Sequence, residues 1–400
     1  MTKTFSFKVK NRLANSHGRT GIINTPHGSI NTPAFIPVGT QATLKSLTPE
    51  QLKATGAQAV LANAYHLYLR PGSKIIDSAG GLHKFMNWDK PIFTDSGGFQ
   101  VMSLGVGFKK VINMNAEDID KPSSKKGSLA KIDNDGVTFK SHLDGSKHRF
   151  NPERSMEIQH ELGADIIFAF DELTTLQHHR KYQEQSLNQR THPWAERSLK
   201  RHQELTIERS EKPYQALFGV IQGANYEDLR RESSRFLASL DFDGFGLGGA
   251  FTKKDIGQIV SWMSDELPED KPRHMLGISE PNDIFDCIEN GADTFDCVSP
   301  ARVGRNGALY TLNGRINITN SKYKDDFNPL DANCECYTCK NFTCAYLNHL
   351  FKAGEMLAGT LATIHNEQFI VKLVDDIRKS IDKNSFYEFK KQWLSDYYKY

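Results

Sequence analysis

Short apolar runs alternate with helix-length segments along most of this chain, and this alternation constrains the fold more than any other sequence feature. The apolar runs are residues 58–62, 91–95, 165–170, 215–220, 244–249, 274–278 and 294–298. Helical segments separate them, which is typical of parallel βαβ units. A succession of at least six such units favours a (β/α)8 TIM barrel over a doubly wound sheet.

Two segments interrupt this rhythm. Residues 104–136 are polar, rich in lysine and without periodicity, and they indicate a mobile loop insertion. Residues 315–366 contain most of the cysteines. We therefore predict a catalytic barrel over residues 1–314, with an N-terminal hairpin, and a subdomain over residues 315–400. The second unit would include the C-terminal helices and the last helix of the barrel.

Charge and hydropathy exclude several classes of protein. The 400 residues carry 50 Lys and Arg against 48 Asp and Glu, so any nucleic-acid site must be a local basic patch. No segment approaches the roughly 18 apolar residues of a membrane span, and the charged, alternating N-terminus is unlike a signal peptide. We expect a cytoplasmic protein whose six cysteines are thiols or metal ligands.

Polar residues follow several of the predicted strands, at the end where a barrel carries its chemistry. They are Asp95, Asp171, Gln222, Gly248, Gly249 and Asp296. This set is rich in carboxylates and contains no histidine. Structural roles are the alternative for each. Asp95 and Asp171 would cap the turn or helix that follows. Asp296 would accept hydrogen bonds from Arg302 or Arg305.

A carboxylate at position 296 lies within an apolar strand, where it is costly unless it is paired or used. Two carboxylates that face one pocket permit substitution at a sugar carbon, since one attacks the anomeric centre and the other transfers protons. A third carboxylate and an amide would suit the donor edge of a purine. A metal-dependent barrel hydrolase is an alternative, but such enzymes usually have several histidines at the strand ends. Only His66 is well placed here.

The cysteines give the sharpest local signal, because four of the six fall within eleven residues. The spacing is Cys334-x-Cys336-x2-Cys339. Thiolates this close in a reducing compartment indicate a tetrahedral Zn2+ site. Spacing leaves the fourth ligand open between Cys344, His349 and His365. A zinc ion with four protein ligands would be structural. Cys287 and Cys297 lie in apolar surroundings and are predicted to be buried thiols.

Several stretches combine into a specific set: FTDSGGFQVMSLG, LFGVIQG, GFGLGGAF, FDCVSPARVGRNGALYT and CECYTC. With these motifs the chain resembles the tRNA-guanine transglycosylases (queuine tRNA-ribosyltransferases) over about residues 12–380. The resemblance implies a (β/α)8 barrel with a zinc subdomain. It also implies exchange of guanine at the wobble position of tRNAs with a GUN-type anticodon for a 7-deazaguanine, such as preQ1 or queuine.

The resemblance implies roles for the strand-end residues. Asp296 would attack C1′ of the ribose, and Asp95 would be the general acid/base. Asp171 and Gln222 would read the purine edge, and Gly249 would donate its N–H to O6. The implied substrate-binding set is Asp171, Gln222, Gly249, Phe99, Leu276, Ser96 and Gly97, with Phe99 and Leu276 stacking on the base.

The resemblance extends to partners and to the metal. Arg302 and Arg305 are candidates for contacts to the anticodon. The implied zinc ligands are Cys334, Cys336, Cys339 and His365. Family members commonly form homodimers through the zinc region, so we expect a homodimer.

Three departures from the family pattern affect these expectations. Lys254 stands where bacterial members usually have a glutamate that supports an aminomethyl group of the incoming base, which leaves the incoming base open. Leu173 stands where those members often have cysteine. The 104–136 insertion is longer than usual, and we expect it to be a solvated loop, with an RNA contact as the alternative. Its lysines are Lys109, Lys110, Lys125, Lys126 and Lys131.

Two alternatives to this function follow from the same fold. One is a noncatalytic RNA-binding subunit, which would be expected to lose the nucleophile or the zinc ligands. The other is a transglycosylase with a different base or target, such as an archaeosine-type enzyme or one that acts on DNA.

Overall fold

The computed structural model describes residues 4–106 and 130–399. Its strands are β1 (Ser6–Arg12), β2 (Arg19–Thr25), β3 (Gly28–Thr32), β4 (Ala34–Pro37), β5 (Val60–Ala62), β6 (Ile92–Thr94), β7 (Ala130–Ile132), β8 (Val137–Lys140), β9 (Lys147–Phe150), β10 (Ile166–Phe168), β11 (Ala216–Ile221), β12 (Gly244–Leu247), β13 (Arg273–Met275), β14 (Thr294–Cys297), β15 (Ala308–Thr311) and β16 (Gly314–Asn317).

The α-helices span Pro49–Ala54, Ala64–Leu69, Ser73–Ser78, Leu82–Phe85, Gly98–Val106, Pro152–Leu162, Arg180–Ser186, His192–Glu208, Glu227–Ala238, Ile256–Glu266, Pro281–Glu289, Ser299–Arg305, Tyr337–Asn341, Cys344–Ala353, Met356–Asp382 and Phe386–Tyr398. A π-helical turn covers Leu187–Thr191, and 3-10 turns cover Lys253–Asp255 and Ser321–Tyr323. None of the helices within the described part of the chain is long and apolar enough to cross a membrane.

Eight strands form one parallel sheet in the order β4-β14-β13-β12-β11-β10-β6-β5. A parallel bridge between Val38 and Leu61 joins the first strand to the last, which closes the sheet into a barrel. Helices lie between successive barrel strands along the chain. The predicted (β/α)8 TIM barrel is confirmed, and the carboxyl ends of its strands meet at one rim.

Buried rings fill the interior of the barrel. Phe168 lies with its ring centroid 5.6 Å from that of Phe218 and 5.2 Å from that of His274. Phe93 lies 5.3 Å from His274 on another side. Phe5, just before the antiparallel sheet β1-β2-β3, packs edge-on against Phe218 at 6.0 Å. The N-terminal segment therefore packs into the barrel from its amino end, and the opposite rim carries the polar residues.

Helix starts follow the sequence signals closely. Thr48 caps the helix Pro49–Ala54 with a capping box, since its side chain accepts from the Gln51 N–H and the Gln51 side chain accepts from the Thr48 N–H. The side chain of Asn151 caps Pro152–Leu162 by accepting from the Arg154 N–H, and a proline occupies the first turn. These caps fix where each helix leaves the sheet, and so where the strand-end residues lie.

The two ends of the predicted 104–136 insertion contain regular secondary structure. The helix Gly98–Val106 extends into its beginning, and β7 pairs in antiparallel fashion with β8 near its end, with Lys131 opposite Thr138. Residues 104–106 and 130–132 of the predicted loop insertion therefore belong to regular elements, and the prediction of a mobile loop stays a prediction for the rest. Lys109, Lys110, Lys125 and Lys126 lie outside the described residues.

The 27-residue helix Met356–Asp382 joins the cysteine region to the barrel. It packs against β4 and against the helix Ser299–Arg305, which directly follows β14. Asn366 of the long helix accepts from the Tyr310 N–H at 3.1 Å and donates to the carbonyl oxygens of Pro300 and Ala308, each at 3.0 Å. The division at residues 314 and 315 stays a prediction.

Candidate functional site

Asp296 lies near the end of β14, with 14% of its side chain exposed. Its Oδ1 accepts two hydrogen bonds, from Nε2 of His274 at 3.1 Å and from the Gly277 N–H at 3.2 Å. No bond to its Oδ2 is found among the described residues. Arg302 and Arg305, the partners that a structural role would require, do not bind it. One oxygen is therefore fixed and the other is open to the rim of the barrel.

Asp95 follows β6 and is held by the residues after β5. Its Oδ1 accepts from the Ala64 N–H at 2.8 Å, and its Oδ2 accepts from the side-chain amide of Asn63. Burial, together with the negative charge of Asp296, raises the pKa of Asp95 to about 7 against these hydrogen bonds. A carboxyl group with a pKa near neutrality can both donate and accept a proton at physiological pH.

Asp171 follows β10 and pairs with Gln222, which follows β11. The Gln222 Nε2 donates to Asp171 Oδ2 at 2.6 Å, while the buried Oε1 of Gln222 has no hydrogen-bond partner among the described residues. Burial, together with the charge of Glu172, raises the pKa of Asp171 to about 6 against the opposing hydrogen bond from Gln222. The pair thus presents a carboxyl group and a free amide oxygen, which together can accept several N–H groups.

Gly249 follows β12 with φ +93°, a conformation that favours glycine. A Cβ at this position would lie 2.6 Å from Oε1 of Gln222 and 2.8 Å from Nη2 of Arg230. Arg230 is completely buried and donates through Nη1 to the Gly248 carbonyl at 2.6 Å. The glycine pair therefore approaches Gln222 closely, and a buried guanidinium fixes its position.

The Ser96-Gly97 bend connects Asp95 to the helix Gly98–Val106. Ser96 Oγ accepts from the Gly98 N–H at 3.2 Å, and a Cβ on Gly98 would lie 3.0 Å from the Asp171 carbonyl oxygen. The bend thus brings the Asp95 segment against the Asp171 segment. Phe99 follows in the same helix and is half-buried, as is Leu276 after β13.

Arg302 and Arg305 lie on the helix Ser299–Arg305 that follows the strand of Asp296. Arg302 is exposed and Arg305 is half-buried. Burial lowers the pKa of Arg305, and the charge of Glu367 opposes this shift. The helix places both guanidinium groups just beyond the strand-end residues, without direct contact to Asp296.

Cys334, Cys336, Cys339 and His365 form a cluster that can hold a metal ion, with all ligand atoms within 4.8 Å of one another. The three sulfurs lie 3.7, 3.5 and 3.3 Å from Nδ1 of His365. Ligands of one tetrahedral zinc ion, with Zn–S near 2.3 Å and Zn–N near 2.0 Å, are roughly 3.5 Å apart. Nε2 of His365 bonds to the Tyr310 carbonyl at 2.6 Å, which leaves Nδ1 to face the sulfurs.

Cys344 and His349, the other candidates for the fourth ligand, lie outside this cluster. Cys344 is buried at the start of the helix Cys344–Ala353. The positions of the sulfur and nitrogen donors therefore select His365 as the fourth ligand.

Cys287 is buried as predicted, whereas Cys297 is half-buried; burial raises the pKa of Cys297 to about 11.

Comparison with known proteins identifies the family. The family model described as "Queuine tRNA-ribosyltransferase" matches residues 14–399. A relative of that name from Thermoanaerobacter pseudethanolicus is 48% identical over 97% of this chain and 98% of its own length. Relatives of the same name from Staphylococcus aureus and Geobacillus kaustophilus are 45% and 43% identical, over 96% and 99% of this chain and 94% and 97% of their own lengths. The chain belongs to the queuine tRNA-ribosyltransferase family.

Two residues that depart from the pattern of the queuine tRNA-ribosyltransferase family, Lys254 and Leu173, lie in different surroundings. Lys254 is exposed in the turn Lys253–Asp255 that follows β12. Leu173 is half-buried and lines a cavity of about 100 Å³ together with Glu172, His178 and Tyr182. Glu172 accepts from Tyr182 at 2.7 Å and from Arg190 Nε at 2.5 Å, so the wall behind Asp171 is a fixed polar network.

Sequence reasoning missed two residues of this queuine tRNA-ribosyltransferase site. The predicted strand-end set contained no histidine, yet His274 of β13 is completely buried and bonds to Asp296. Its ring points into the barrel from the middle of an apolar strand, where a histidine is easily taken for part of the core. Arg230 was also missed, because it lies in an amphipathic helix whose exposed face carries other arginines.

Proposed function

We propose that this protein is a pentosyltransferase that exchanges guanine at the wobble position of tRNA for a 7-deazaguanine. Family membership over nearly the whole chain supports the reaction class. The observation that carries the proposal for this chain is the pair of carboxyl groups at the barrel rim. Asp95 has a pKa near 7 that depends on the charge of Asp296, while Asp296 keeps one free oxygen.

The first displacement uses Asp296 as the nucleophile. Its Oδ2 forms a bond to C1′ of the ribose while the bond from C1′ to the guanine breaks, and the electron pair of that bond leaves with the base. Asp95 protonates the departing base. The hydrogen bonds from His274 and Gly277 to Oδ1 hold the attacking carboxylate in one orientation.

The charge coupling between the two aspartates fits the order of proton transfer. When Asp296 becomes a ribosyl ester, it loses the negative charge that raises the pKa of Asp95. Asp95 then remains ionised after it has given up its proton, as a base must be. In the second displacement the incoming base attacks C1′, Asp95 takes its proton, and the carboxylate of Asp296 is regenerated. Two inversions retain the configuration at C1′.

Asp171 and Gln222 read the base in this proposal. An ionised Asp171 accepts from N1–H and from the exocyclic amine, which guanine and 7-deazaguanines offer together. The free Oε1 of Gln222 accepts a further N–H. Gly249 donates to O6, and Phe99 and Leu276 stack on the two faces of the extruded base.

The tRNA and the metal complete the proposal. Arg302 and Arg305 contact the anticodon through their position beyond the nucleophile. A zinc ion on Cys334, Cys336, Cys339 and His365 supplies structural support. The chain acts as a homodimer in the cytoplasm on tRNAs with a GUN-type anticodon.

A base-exchange assay tests the proposal. tRNA that carries labelled guanine at the wobble position is incubated with the enzyme and then chased separately with preQ1 and with queuine. We expect release of the label with at least one of them, and a covalent RNA adduct that denaturing gels reveal. Asp296→Asn should give neither product nor adduct, whereas Cys344→Ser should give both. An adduct with Asp296→Asn would contradict the assignment of the nucleophile.

The same assay identifies the incoming base, which the departure at Lys254 leaves open. A positive side chain near the entering base disfavours the ammonium group that preQ1 and queuine both carry, so we expect guanine to be favoured over both of them relative to the Lys254→Glu variant. An unchanged ratio of the three bases in Lys254→Glu would show that this lysine does not select the base.

A further inference from the structure

A second cluster of metal-binding side chains lies at the amino end of the barrel, away from the rim that carries Asp296. It consists of His27 in the turn between β2 and β3, His83 in the helix Leu82–Phe85, and Asp165 just before β10. Asp165 is completely buried, while His27 and His83 have 29% and 11% of their side chains exposed.

The two imidazoles converge on one carboxylate. Nδ1 of His27 lies 2.8 Å from Oδ1 of Asp165, and Nε2 of His83 lies 3.1 Å from Oδ2. Their rings are stacked with centroids 3.5 Å apart and planes 18° apart, and the ligand atoms of the three residues lie within 4.8 Å of one another. Adjacent nitrogen and oxygen ligands about 2.1 Å from one metal ion at 90° are roughly 3.0 Å apart, which matches both distances.

The backbone holds this carboxylate in place. The Ile92 N–H donates to Asp165 Oδ2 at 2.9 Å, and the His27 N–H donates to Oδ1 at 3.3 Å. Ile92 begins β6 and Asp165 precedes β10, so the carboxylate is fixed to two neighbouring barrel strands. A ligand that is already held by other bonds needs little reorganisation when a metal binds.

We propose that His27, His83 and Asp165 bind a divalent first-row transition-metal ion, with water in the remaining coordination positions. Two imidazoles and one carboxylate with open positions form a ligand set that such ions use in octahedral sites. The exposed edge of His27 gives the ion access from solvent. Bound there, the ion ties the β2–β3 turn and the helix Leu82–Phe85 to the barrel. Its role is to stabilise this end of the barrel, separately from base exchange.

Equilibrium dialysis of the zinc-loaded full chain against Ni2+, without a polyhistidine tag, tests this proposal. Metal content is counted by mass spectrometry. We expect about one Ni2+ per chain with the zinc content unchanged, and a higher melting temperature in Ni2+ than in its absence. His27→Phe keeps a ring against His83 but removes a ligand, and it should bind no Ni2+ and show no shift in melting temperature.

His17→Phe is the matched control. Nε2 of His17 also lies 2.8 Å from a carboxylate oxygen, that of Asp265, but the pair is exposed and belongs to no group of three possible metal ligands among the described residues. This variant should bind Ni2+ as the unmodified chain does. Should His27→Phe fold poorly, His83→Gln, whose amide can still donate to Asp165, provides the second test. Equal Ni2+ binding by the unmodified chain and either ligand variant would overturn the proposal. The proposal would also be overturned if His17→Phe lost as much Ni2+ binding as the ligand variants.

Discussion

His274 donates through Nε2 to Oδ1 of Asp296, and its Nδ1 lies 2.9 Å from the Thr294 hydroxyl. Because an ionised carboxylate only accepts, the imidazole carries its proton on Nε2, and Nδ1 then accepts from Thr294. The ring is completely buried between Phe93 and Phe168. A chain of two hydrogen bonds thus fixes the rotation of the proposed nucleophile.

The first prediction follows from this contact. His274→Phe removes a hydrogen bond to a charged group, and we expect the rate of covalent adduct formation to fall by about 10- to 100-fold. His274→Gln keeps an N–H at a similar distance and should recover part of the loss. Single-turnover measurements with tRNA give both rates. Equal rates in the phenylalanine variant and the unmodified enzyme would rule out a positioning role.

The second prediction concerns pH. Asp95 must be protonated to release guanine, and its pKa is about 7, so over the pH range in which Asp296 stays ionised the rate of guanine release should level off below pH 7 and fall above it. The expected slope is about tenfold per pH unit. Asp95→Asn should release guanine slowly and without this dependence. A release rate in the unmodified enzyme that rises with pH would contradict the role of Asp95 as the acid.

The third prediction isolates the charge coupling. Asp296→Asn removes the negative charge that raises the pKa of Asp95, so that pKa should decrease. An NMR titration of the Asp95 carboxyl carbon measures it directly, without substrate. The His17→Phe variant, altered on the protein surface, should leave the pKa near 7. An unshifted pKa in Asp296→Asn would mean that burial alone sets it.

The fourth prediction concerns the base pocket. Gly249→Ala forces a Cβ to within 2.6 Å of Oε1 of Gln222 at a φ of +93°, so we expect KM for guanine to rise by about tenfold or more. Gly145→Ala is the control, because Gly145 also has a positive φ, +75°, but a Cβ there meets nothing within 4 Å. Exchange of labelled guanine measures both. Equal effects would indicate backbone strain rather than pocket closure.

The fifth prediction concerns the metal. Cys336→Ser should reduce the zinc content from about one ion per chain to near zero and lower the melting temperature, since the binding free energy of a structural zinc is folding free energy. Cys344→Ser should keep the zinc, because Cys344 lies outside the cluster. Metal analysis and calorimetry check both variants. Loss of zinc in Cys344→Ser would overturn the proposed ligand set.

The sequence was sufficient for those parts of the fold and site that depend on local pattern. Asp296 could be selected because a carboxylate within an apolar strand is energetically costly unless it is paired or functional. The caps at Thr48 and Asn151 could be predicted from a few neighbouring residues. The barrel followed from the succession of short apolar strands and helices. Each of these signals lies within one element and its immediate neighbours.

Features that depend on contacts between distant elements could not be predicted in this way. The spacing of the cysteines left Cys344, His349 and His365 equivalent, because the choice depends on where the helix Met356–Asp382 returns to the cluster. The bond between His274 and Asp296 depends on the pairing of β13 with β14. The pairing of β7 with β8 likewise orders a segment whose own sequence has no strand pattern.

His365 faces the cysteine cluster, and the next residue, Asn366, binds the backbone of Pro300 in the first turn of the helix that carries Arg302 and Arg305 and of Ala308 just after that helix. Successive residues of an α-helix point about 100° apart, so one added or deleted residue before this pair would turn both side chains away from their partners. This stretch of helix is buried on all sides from Leu361 to Glu367, and its length is constrained from two directions at once.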